Sequence, residues 1–363
     1  SAAAGGVTTL VDMPLDNVPS TVTVEALEQK RTAARGRLHV DVGFWGGLIP
    51  GHLDDLAPLW EAGALGFKCF LIDTGSPDFP NVSVELMEKG LGVARDLGVP
   101  LLIHAESDEV SRALDVYHGR SYAAYLATRP REIENVAVTQ VIGAARRTGG
   151  HAHIVHLSSS DAVPMIADAR KEGIAVTAET CPHYLTVAAE EIRDGDTLFK
   201  CSPPIRESAN RERLWTGLSE GVLDLVVSDH SPGTAAMKEL DTGDFGSAWA
   251  GISSLQLGLP VVWTESRRKG VHLGKVAGWM STAPAALAGL HRKGRIEVGC
   301  DADFCVFAPD QSFTVDPAKL HHRHPVTPYG GRALTGVVRD TLLRGQSIDL
   351  REARGRLLAR GVA

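Results

Sequence analysis

The sequence lacks the features that mark secreted, membrane or nucleic-acid-binding proteins. Its five cysteines are an odd number without a Cys-x-x-Cys pair, which suits reduced thiols rather than a disulfide framework. Its apolar runs are only as long as a strand, which is too short to cross a bilayer. The net charge of −7, with both signs interspersed, provides no basic surface for nucleic acid or membrane. We therefore expect a cytoplasmic protein that binds neither.

The chain does contain a repeated alternation of strand and helix patterns. Its 363 residues, 44% of them apolar, could form one large barrel domain or two average domains. Short runs rich in Val, Ile and Leu are apolar on both faces and alternate with amphipathic stretches, which is typical of a parallel α/β sheet. The seven predicted strands are 7–13, 38–44, 65–71, 99–104, 151–157, 174–179 and 223–229. The main predicted helices are 22–34, 56–62, 84–97, 133–147, 162–171 and 210–218.

Four polar residues fall at or near the carboxyl ends of four predicted strands. They are Lys68, His104, His156 and Asp229. Seven strands alone would also suit an open doubly wound sheet, but such a sheet would spread these residues out. A barrel brings the carboxyl ends of its strands together around one mouth. The pattern therefore favours a (β/α)8 TIM-type barrel.

The two ends of the chain depart from this repeat. Residues 1–10 have the pattern of a last helical turn, a glycine stop and a strand, so we expect the barrel to lack its first strand. Beyond the last barrel helices, short strands are predicted at 302–307 and 334–343, with turn residues between them. We therefore expect a barrel over residues 1–291 and a small β-sandwich remnant with a C-terminal tail over residues 292–363.

The residue types at the strand ends indicate metal chemistry. A single histidine at a strand end is more often a core residue than a ligand, but two histidines with a lysine and an aspartate change that balance. A buried lysine must pair, lose its proton or be chemically modified. Addition of carbon dioxide would convert Lys68 into a carbamate, an anionic oxygen ligand that can bridge two cations. The sequence therefore predicts a metal-dependent hydrolase.

Several segments resemble the amidohydrolase superfamily and, within it, the cyclic amidases. The resemblance is strongest to allantoinases, followed by hydantoinases or dihydropyrimidinases and dihydroorotases. Hydantoinases usually differ after the Ser-Asp-His element and carry a Gly-Leu-Pro-Gly-like turn where this chain has residues 250–254. The matching segments are 66–70 (GFKCF), 179–185 (ETCPHYL), 200–206 (KCSPPIR), 228–232 (SDHSP), 249–256 (WAGISSLQ) and 324–332 (HPVTPYGGR).

This resemblance implies a set of site residues. Lys68 would be the carboxylated ligand that bridges two divalent ions, with zinc favoured and cobalt, manganese or iron as alternatives. His104 and His156 would hold the second metal. Asp229 would bind the first metal and carry the proton from an activated hydroxide to the leaving nitrogen. Three further residues would surround the substrate ring, namely Cys201, Ser202 and Ser231, although Ser202 and Ser231 also suit ordinary turns.

Two further residues, His183 and His230, are less clearly placed by the resemblance. His183 would either support a ligand or contact the substrate. His230 is expected to orient its loop rather than to bind metal.

One element of the family pattern has no counterpart. The family places a His-x-His pair after its first strand, where it holds the first metal together with Asp229. His151 and His153 have this spacing, but they open a strand at the opposite end of the barrel, where we expect an exposed turn.

The resemblance implies a homotetrameric enzyme that opens the ring of allantoin to give allantoate, with impaired activity in this chain. A hydantoinase or dihydropyrimidinase would share every metal ligand. A non-catalytic scaffold is the other alternative, but it would have no need of a buried lysine facing imidazoles.

Overall fold

Strands and helices alternate along the chain in a computed structural model that describes residues 1–359. Residues 360–363, the end of the expected C-terminal tail, lie outside the described residues. The strands β1 to β11 are Thr9–Asp12, Asp41–Phe44, Gly46–Gly47, Phe67–Phe70, Leu101–His104, Ala152–Ile154, Val176–Thr180, Leu225–Val226, Phe304–Thr314, Ala333–Leu343 and Gln346–Ser347. The helices α1 to α12 are Val24–Ala34, Leu56–Glu61, Val84–Leu97, Asp108–Arg112, Tyr122–Ala127, Glu132–Thr148, Ala162–Lys171, Pro182–Thr186, Ser208–Ser219, Gly258–Arg268, Leu273–Ala277 and Ala283–Leu287.

The first eight strands are parallel and follow one another in chain order. β1 pairs with β2, and β3 to β8 form a six-stranded sheet in the order of their numbers. Only Trp45 separates β2 from β3, and its amide donates to the carbonyl of Asp12 at the end of β1, so the two sheets are continuous. Parallel pairing places the carboxyl ends of all these strands at one edge. The prediction of a parallel α/β fold is therefore confirmed.

The observed strands overlap all seven predicted strands. β2 and β3 together correspond to a single predicted strand, which the structure extends to Gly47. The apolar runs predicted these positions well because the strands are buried on both faces, as β5 is at each of its four residues.

The helices that separate the strands begin and end at recognisable capping residues. In α3, the Ser83 hydroxyl accepts from the amide of Leu86, and Gly98, with φ of 67°, terminates the helix in the left-handed conformation. One face of α3 buries Met87 and Leu91 against the sheet. None of the helices in residues 1–359 has the length and apolar character needed to cross a membrane.

The C-terminal strands form a separate antiparallel sheet in the order β11-β10-β9. β9 and β10 are each 11 residues long, and β9 extends beyond its predicted range to Thr314. A 3-10 turn at the start of the chain, Ala3–Gly5, packs on this sheet, where the Thr341 hydroxyl donates to the carbonyl of Ala3 at 2.6 Å.

Candidate active site

The four polar side chains of the strand ends lie at the carboxyl edge of the parallel sheet. Lys68 is in β4, His104 is the last residue of β5, and His156 and Asp229 follow β6 and β8 closely. The backbones of His156 and Asp229 have φ of 40° and 43°, in the left-handed region. That conformation costs a residue with a Cβ about 1–2 kcal/mol. Strain of this kind is concentrated at functional sites.

His104 and His156 contact each other directly. The Nδ1 of His104 lies 3.0 Å from the Nε2 of His156, and the Nε2 of His104 lies 2.6 Å from a carboxylate oxygen of Glu106. Two imidazoles on one tetrahedral zinc ion, with Zn–N bonds of about 2.0–2.1 Å, would have a similar nitrogen separation of about 3.3 Å. Burial, reinforced by the charges of His104 and Lys68, holds the pKa of His156 well below its usual value. His156 is therefore neutral, as a metal ligand must be.

Lys68 is a buried lysine without a carboxylate partner in the described chain. Lys68 is only 3% exposed, and its side-chain nitrogen lies 4.5 Å from the centre of the Phe70 ring. Burial lowers the pKa of Lys68, and the charges of Asp229 and Glu179 oppose this shift only in part. The neutral amine that burial favours is the form that can react with carbon dioxide.

Asp229 belongs to the same electrostatic cluster. Burial raises the pKa of its carboxyl group, the charge of Lys68 opposes that rise, and Glu179 adds to it. A carboxyl group with a raised pKa accepts and releases a proton more readily near neutral pH than an exposed one does.

Glu106 joins His104 to one of the predicted substrate-binding residues. The hydroxyl of Ser202 donates to a carboxylate oxygen of Glu106 at 2.9 Å, and that same oxygen contacts His104. Burial alone would raise the pKa of Glu106, but the hydrogen bonds with His104 and Ser202 hold it below its usual value. Glu106 was not predicted from the sequence to be a site residue, although it lies only two residues after His104.

The other two predicted substrate-binding residues lie in neighbouring loops. Cys201 is buried beside Ser202, and burial raises the pKa of its thiol to about 12, so it is a neutral thiol. Ser231 lies two residues beyond Asp229, and its amide donates to the carbonyl of Ile252 at 3.1 Å. His230 lies between Asp229 and Ser231, and its Nδ1 accepts from the backbone amides of Ser254 and Leu255. These contacts fix the loop of His230 against the segment after Ile252, as expected for a residue that orients its loop.

The donor atoms of these residues show that a metal fits them. The Nδ1 of His104 and the Nε2 of His156 face each other and are the two nitrogens placed to bind one ion. The other ring nitrogen of His156 and one oxygen of Glu106 are buried without a hydrogen-bond partner, which costs about 1–3 kcal/mol for each atom. Two facing imidazoles, a carboxylate and a modifiable lysine form a donor set that suits a divalent transition metal.

The expectation of an exposed turn at His151 and His153 is wrong for His153. This residue is fully buried, with Nδ1 at 2.7 Å from the hydroxyl of Thr177 and Nε2 at 3.0 Å from a carboxylate oxygen of Glu179. The reason is the register of β6, which begins at Ala152 and places His153 opposite Thr177 of β7.

Comparison with known proteins gives the family of the chain. The amidohydrolase family model matches residues 1–348. The chain is 50% identical to the allantoinase of Streptomyces avermitilis, over 99% of this chain and 81% of that protein, and 46% identical to the allantoinase of Arabidopsis thaliana, over 96% and 72%. The structure of the L-hydantoinase (dihydropyrimidinase) from Arthrobacter aurescens superposes with a TM-score of 0.93 at 30% identity, covering 99% of this chain and 82% of that one. On these matches and on the arrangement of its strand-end residues, the chain belongs to the amidohydrolase family.

Proposed function

We propose that the protein hydrolyses a cyclic amide and that its substrate is allantoin, which it opens to allantoate. The observation that carries this proposal is the convergence of Lys68, His104, His156 and Asp229 at one edge of the parallel sheet. The identities of 50% and 46% to two allantoinases support the choice of substrate.

The proposed ligands of the metal centre are the four strand-end residues. His104 and His156 would hold one divalent ion, Asp229 would hold a second, and Lys68, as a carbamate, would bridge the two. A bound divalent metal would supply a Lewis acid for the amide carbonyl and would lower the pKa of the attacking water. Zinc is the metal we expect, with cobalt, manganese and iron as alternatives.

In this proposal the residues of the chain prepare the site and move the proton. The neutral amine of Lys68 adds to the carbon of carbon dioxide and loses a proton, which leaves a carbamate. Asp229 accepts a proton from the attacking water and donates it to the ring nitrogen as the amide bond breaks. Glu106 fixes the orientation of His104 through the 2.6 Å contact, a role that carboxylates commonly have beside metal-bound imidazoles.

The substrate ring would be held by the loops that carry Cys201, Ser202 and Ser231. Ser202 reaches the metal ligands through Glu106, and Ser231 follows Asp229 in the chain. A small cyclic ureide carries several amide groups, which these polar loops could bind through hydrogen bonds.

The finer architecture also belongs to the proposal. We infer a barrel of eight strands in which β1 to β8 supply the second to the eighth, with β2 and β3 as one strand. The first strand, with its His-x-His pair, is not among the described residues. The barrel would occupy residues 1–291 and the C-terminal appendage residues 292–363. We further propose a homotetramer in the cytoplasm.

A hydantoinase or dihydropyrimidinase is the second candidate, because a protein of that name superposes closely on this one. It ranks second because its identity to this chain is 30%, against 50% for the Streptomyces allantoinase.

The proposed function is tested by the rates of ring opening of allantoin, hydantoin and dihydrouracil. We expect a metal-supplemented form that carries the family's His-x-His pair to open allantoin with little turnover of dihydrouracil, and residues 1–363 alone to be nearly inactive. Asp229→Asn should lower the rate at least about 100-fold, because the proton carrier is lost. Asp310→Asn, at an exposed carboxylate of β9, is the matched control and should leave the rate unchanged.

Turnover of dihydrouracil at a rate equal to or faster than that of allantoin would favour the second candidate, a hydantoinase or dihydropyrimidinase. Full activity of Asp229→Asn would contradict the proposed mechanism. Rapid allantoin hydrolysis by residues 1–363 alone would contradict the role given to the His-x-His pair.

A further inference from the structure

A thiol, an imidazole and a carboxylate converge beside the candidate active site. Cys181 follows β7, His183 lies in α8, and Asp229 follows the neighbouring strand β8. One donor atom of each, the sulfur, a ring nitrogen and a carboxylate oxygen, lies within 4.8 Å of the other two. Of these three residues, only Asp229 is among the ligands inferred from the family pattern.

His183 provides the second observation that points to a ligand. It is fully buried, and neither of its ring nitrogens has a hydrogen-bond partner. Its ring packs on Tyr184, with 4.2 Å between the ring centres, so the imidazole cannot turn freely towards solvent. Nearly all buried polar groups in proteins are paired, which makes a buried histidine with two unused nitrogens unusual.

We propose that Cys181, His183 and Asp229 form a binding site for a thiophilic divalent cation of the zinc and cadmium class. A sulfur, a nitrogen and an oxygen are three of the donors that such cations accept in tetrahedral sites. In a tetrahedral site with bonds of about 2.0–2.3 Å the donor atoms lie about 3.3–3.5 Å apart. Because the three atoms already lie within 4.8 Å of one another, they would have to approach by no more than about 1.5 Å. Binding releases the thiol proton of Cys181 to solvent, so the thiolate becomes the sulfur ligand.

Occupation of this site would inhibit the enzyme. The cation would share or withdraw Asp229, the residue that carries the proton in the proposed mechanism. This inhibitory consequence rests on the proposed function, whereas the binding of the cation does not.

Cadmium binding can be followed by the ultraviolet charge-transfer absorption that a thiolate–cadmium bond produces. The ligands proposed for the catalytic metals include no sulfur, so cadmium bound there gives no such band. The half-exposed cysteines are removed first by Cys300→Ser and Cys305→Ser, and this double variant serves as the parent protein. Circular dichroism checks that each further variant is folded.

We expect the parent to develop the band and to saturate at one sulfur-bound cadmium ion per chain. Cys181→Ser should abolish the band, and His183→Gln should weaken cadmium binding by about tenfold or more. Cys69→Ala is the matched control, since it removes another buried thiol and should keep the band. Cys69 follows Lys68 in β4, so its side chain lies on the opposite face of the sheet.

Three outcomes with the parent and the two ligand variants would overturn the proposal. They are a parent without the band, a band that survives Cys181→Ser, and unchanged cadmium affinity in His183→Gln. A band that is lost instead in Cys201→Ser would place the cation on another thiol and would also overturn it. If Cys181→Ser does not fold, the parent and His183→Gln still decide the matter.

Inhibition is measured separately in the form that carries the family's His-x-His pair, as the loss of allantoin hydrolysis on adding cadmium, relative to the metal-supplemented rate of each variant. We expect the parent to be inhibited more strongly than Cys181→Ser. Absence of allantoin hydrolysis in that form would contradict the proposed function, while the charge-transfer band would still test the cation site.

Discussion

At the scale of single residues, Lys238 holds together the loops beside the candidate active site. It is 2% exposed, and its ammonium donates to the carbonyls of Lys200, Trp249 and Gly251 at 2.9–3.0 Å. Lys200 immediately precedes Cys201, so this one side chain links a proposed substrate loop to the segment that follows Trp249. This role of Lys238 could not be predicted from the sequence, because its three partners are backbone atoms.

The stability of the protein should depend on pH through Lys238. Burial lowers its pKa to about 7 in the folded state, whereas an unfolded lysine titrates at about 10.4. Between these values the unfolded state keeps a proton that the folded state has released, so the free energy of unfolding rises with pH. We expect the melting temperature of the wild type, minus that of Lys238→Met, to increase from about pH 7 to about pH 10. A difference that is constant or falls over this range would contradict the prediction.

At the scale of elements, helix α6 supports the segment that carries His156. One carboxylate oxygen of Glu134 accepts from the amides of Ser158 and Ser159, at 2.9 Å each. The other accepts from the guanidinium of Arg206 at 2.7 Å, and both side chains are almost fully buried. This pair therefore joins α6 to the turn beyond β6 and to the loop that follows Ser202.

Breaking the buried pair should destabilise the protein strongly. We expect Glu134→Gln to lower the free energy of unfolding by about 3–5 kcal/mol, because it leaves the Arg206 guanidinium buried without a counter-charge. Denaturation with urea measures this change. Glu88→Gln is the matched control, since it breaks an exposed pair with Arg147 and should leave the free energy of unfolding nearly unchanged. Similar losses of unfolding free energy in both variants would contradict the prediction that the buried pair stabilises the protein more than the exposed pair does.

The elements could be predicted from the sequence more fully than the contacts between them. The strands were predictable because residues such as Leu101 and Ile103 are buried on both faces, and α3 because Ser83 and Gly98 mark its ends. Lys68, His104, His156 and Asp229 were predictable as a group because parallel strands bring their carboxyl ends together.

The supporting contacts could not be predicted, because they join residues that are distant in the chain. Ser202 and Glu106 are 96 residues apart, and Arg206 and Glu134 are 72 apart. Nor could the sequence reveal that His183 is buried without a partner, because that depends on packing around both nitrogens. The burial of His153 could not be predicted either, because it depends on the partners that its two ring nitrogens find in Thr177 and Glu179 of the neighbouring strand.

At the scale of the whole molecule, a buried charge cluster connects the parallel sheet to the C-terminal sheet. The ammonium of Lys293 lies 2.6–2.9 Å from carboxylate oxygens of Asp41, Asp301 and Asp303. Asp41 begins β2, and Arg344, at the end of β10, also donates to it at 2.7 Å. The hydrogen bonds from Lys293 and Arg344 overcome the effect of burial and hold the pKa of Asp41 below its usual value.

Removal of the central charge should loosen the connection between the two sheets. Lys293→Met would leave three neighbouring carboxylates with only part of their counter-charge, so we expect a loss of about 3–5 kcal/mol in the free energy of unfolding. In calorimetry the wild type should unfold in one transition and the variant at a lower temperature. Lys319→Met, at an exposed lysine of the C-terminal region, is the control and should change the melting temperature little. Equal melting temperatures of the two variants would contradict this account.

The central claim, that the strand-end residues form a metal centre, is tested most directly by anomalous X-ray diffraction from zinc-loaded crystals grown with bicarbonate. The protein used should carry the family's His-x-His pair. We predict zinc bonded to His104 and His156, zinc bonded to Asp229, and additional density on the Lys68 nitrogen that reaches both ions as a carbamate. Lys68→Met should lose the bridging density. An unmodified Lys68 that still lies against Phe70, with the anomalous peaks away from the strand ends, would contradict the claim.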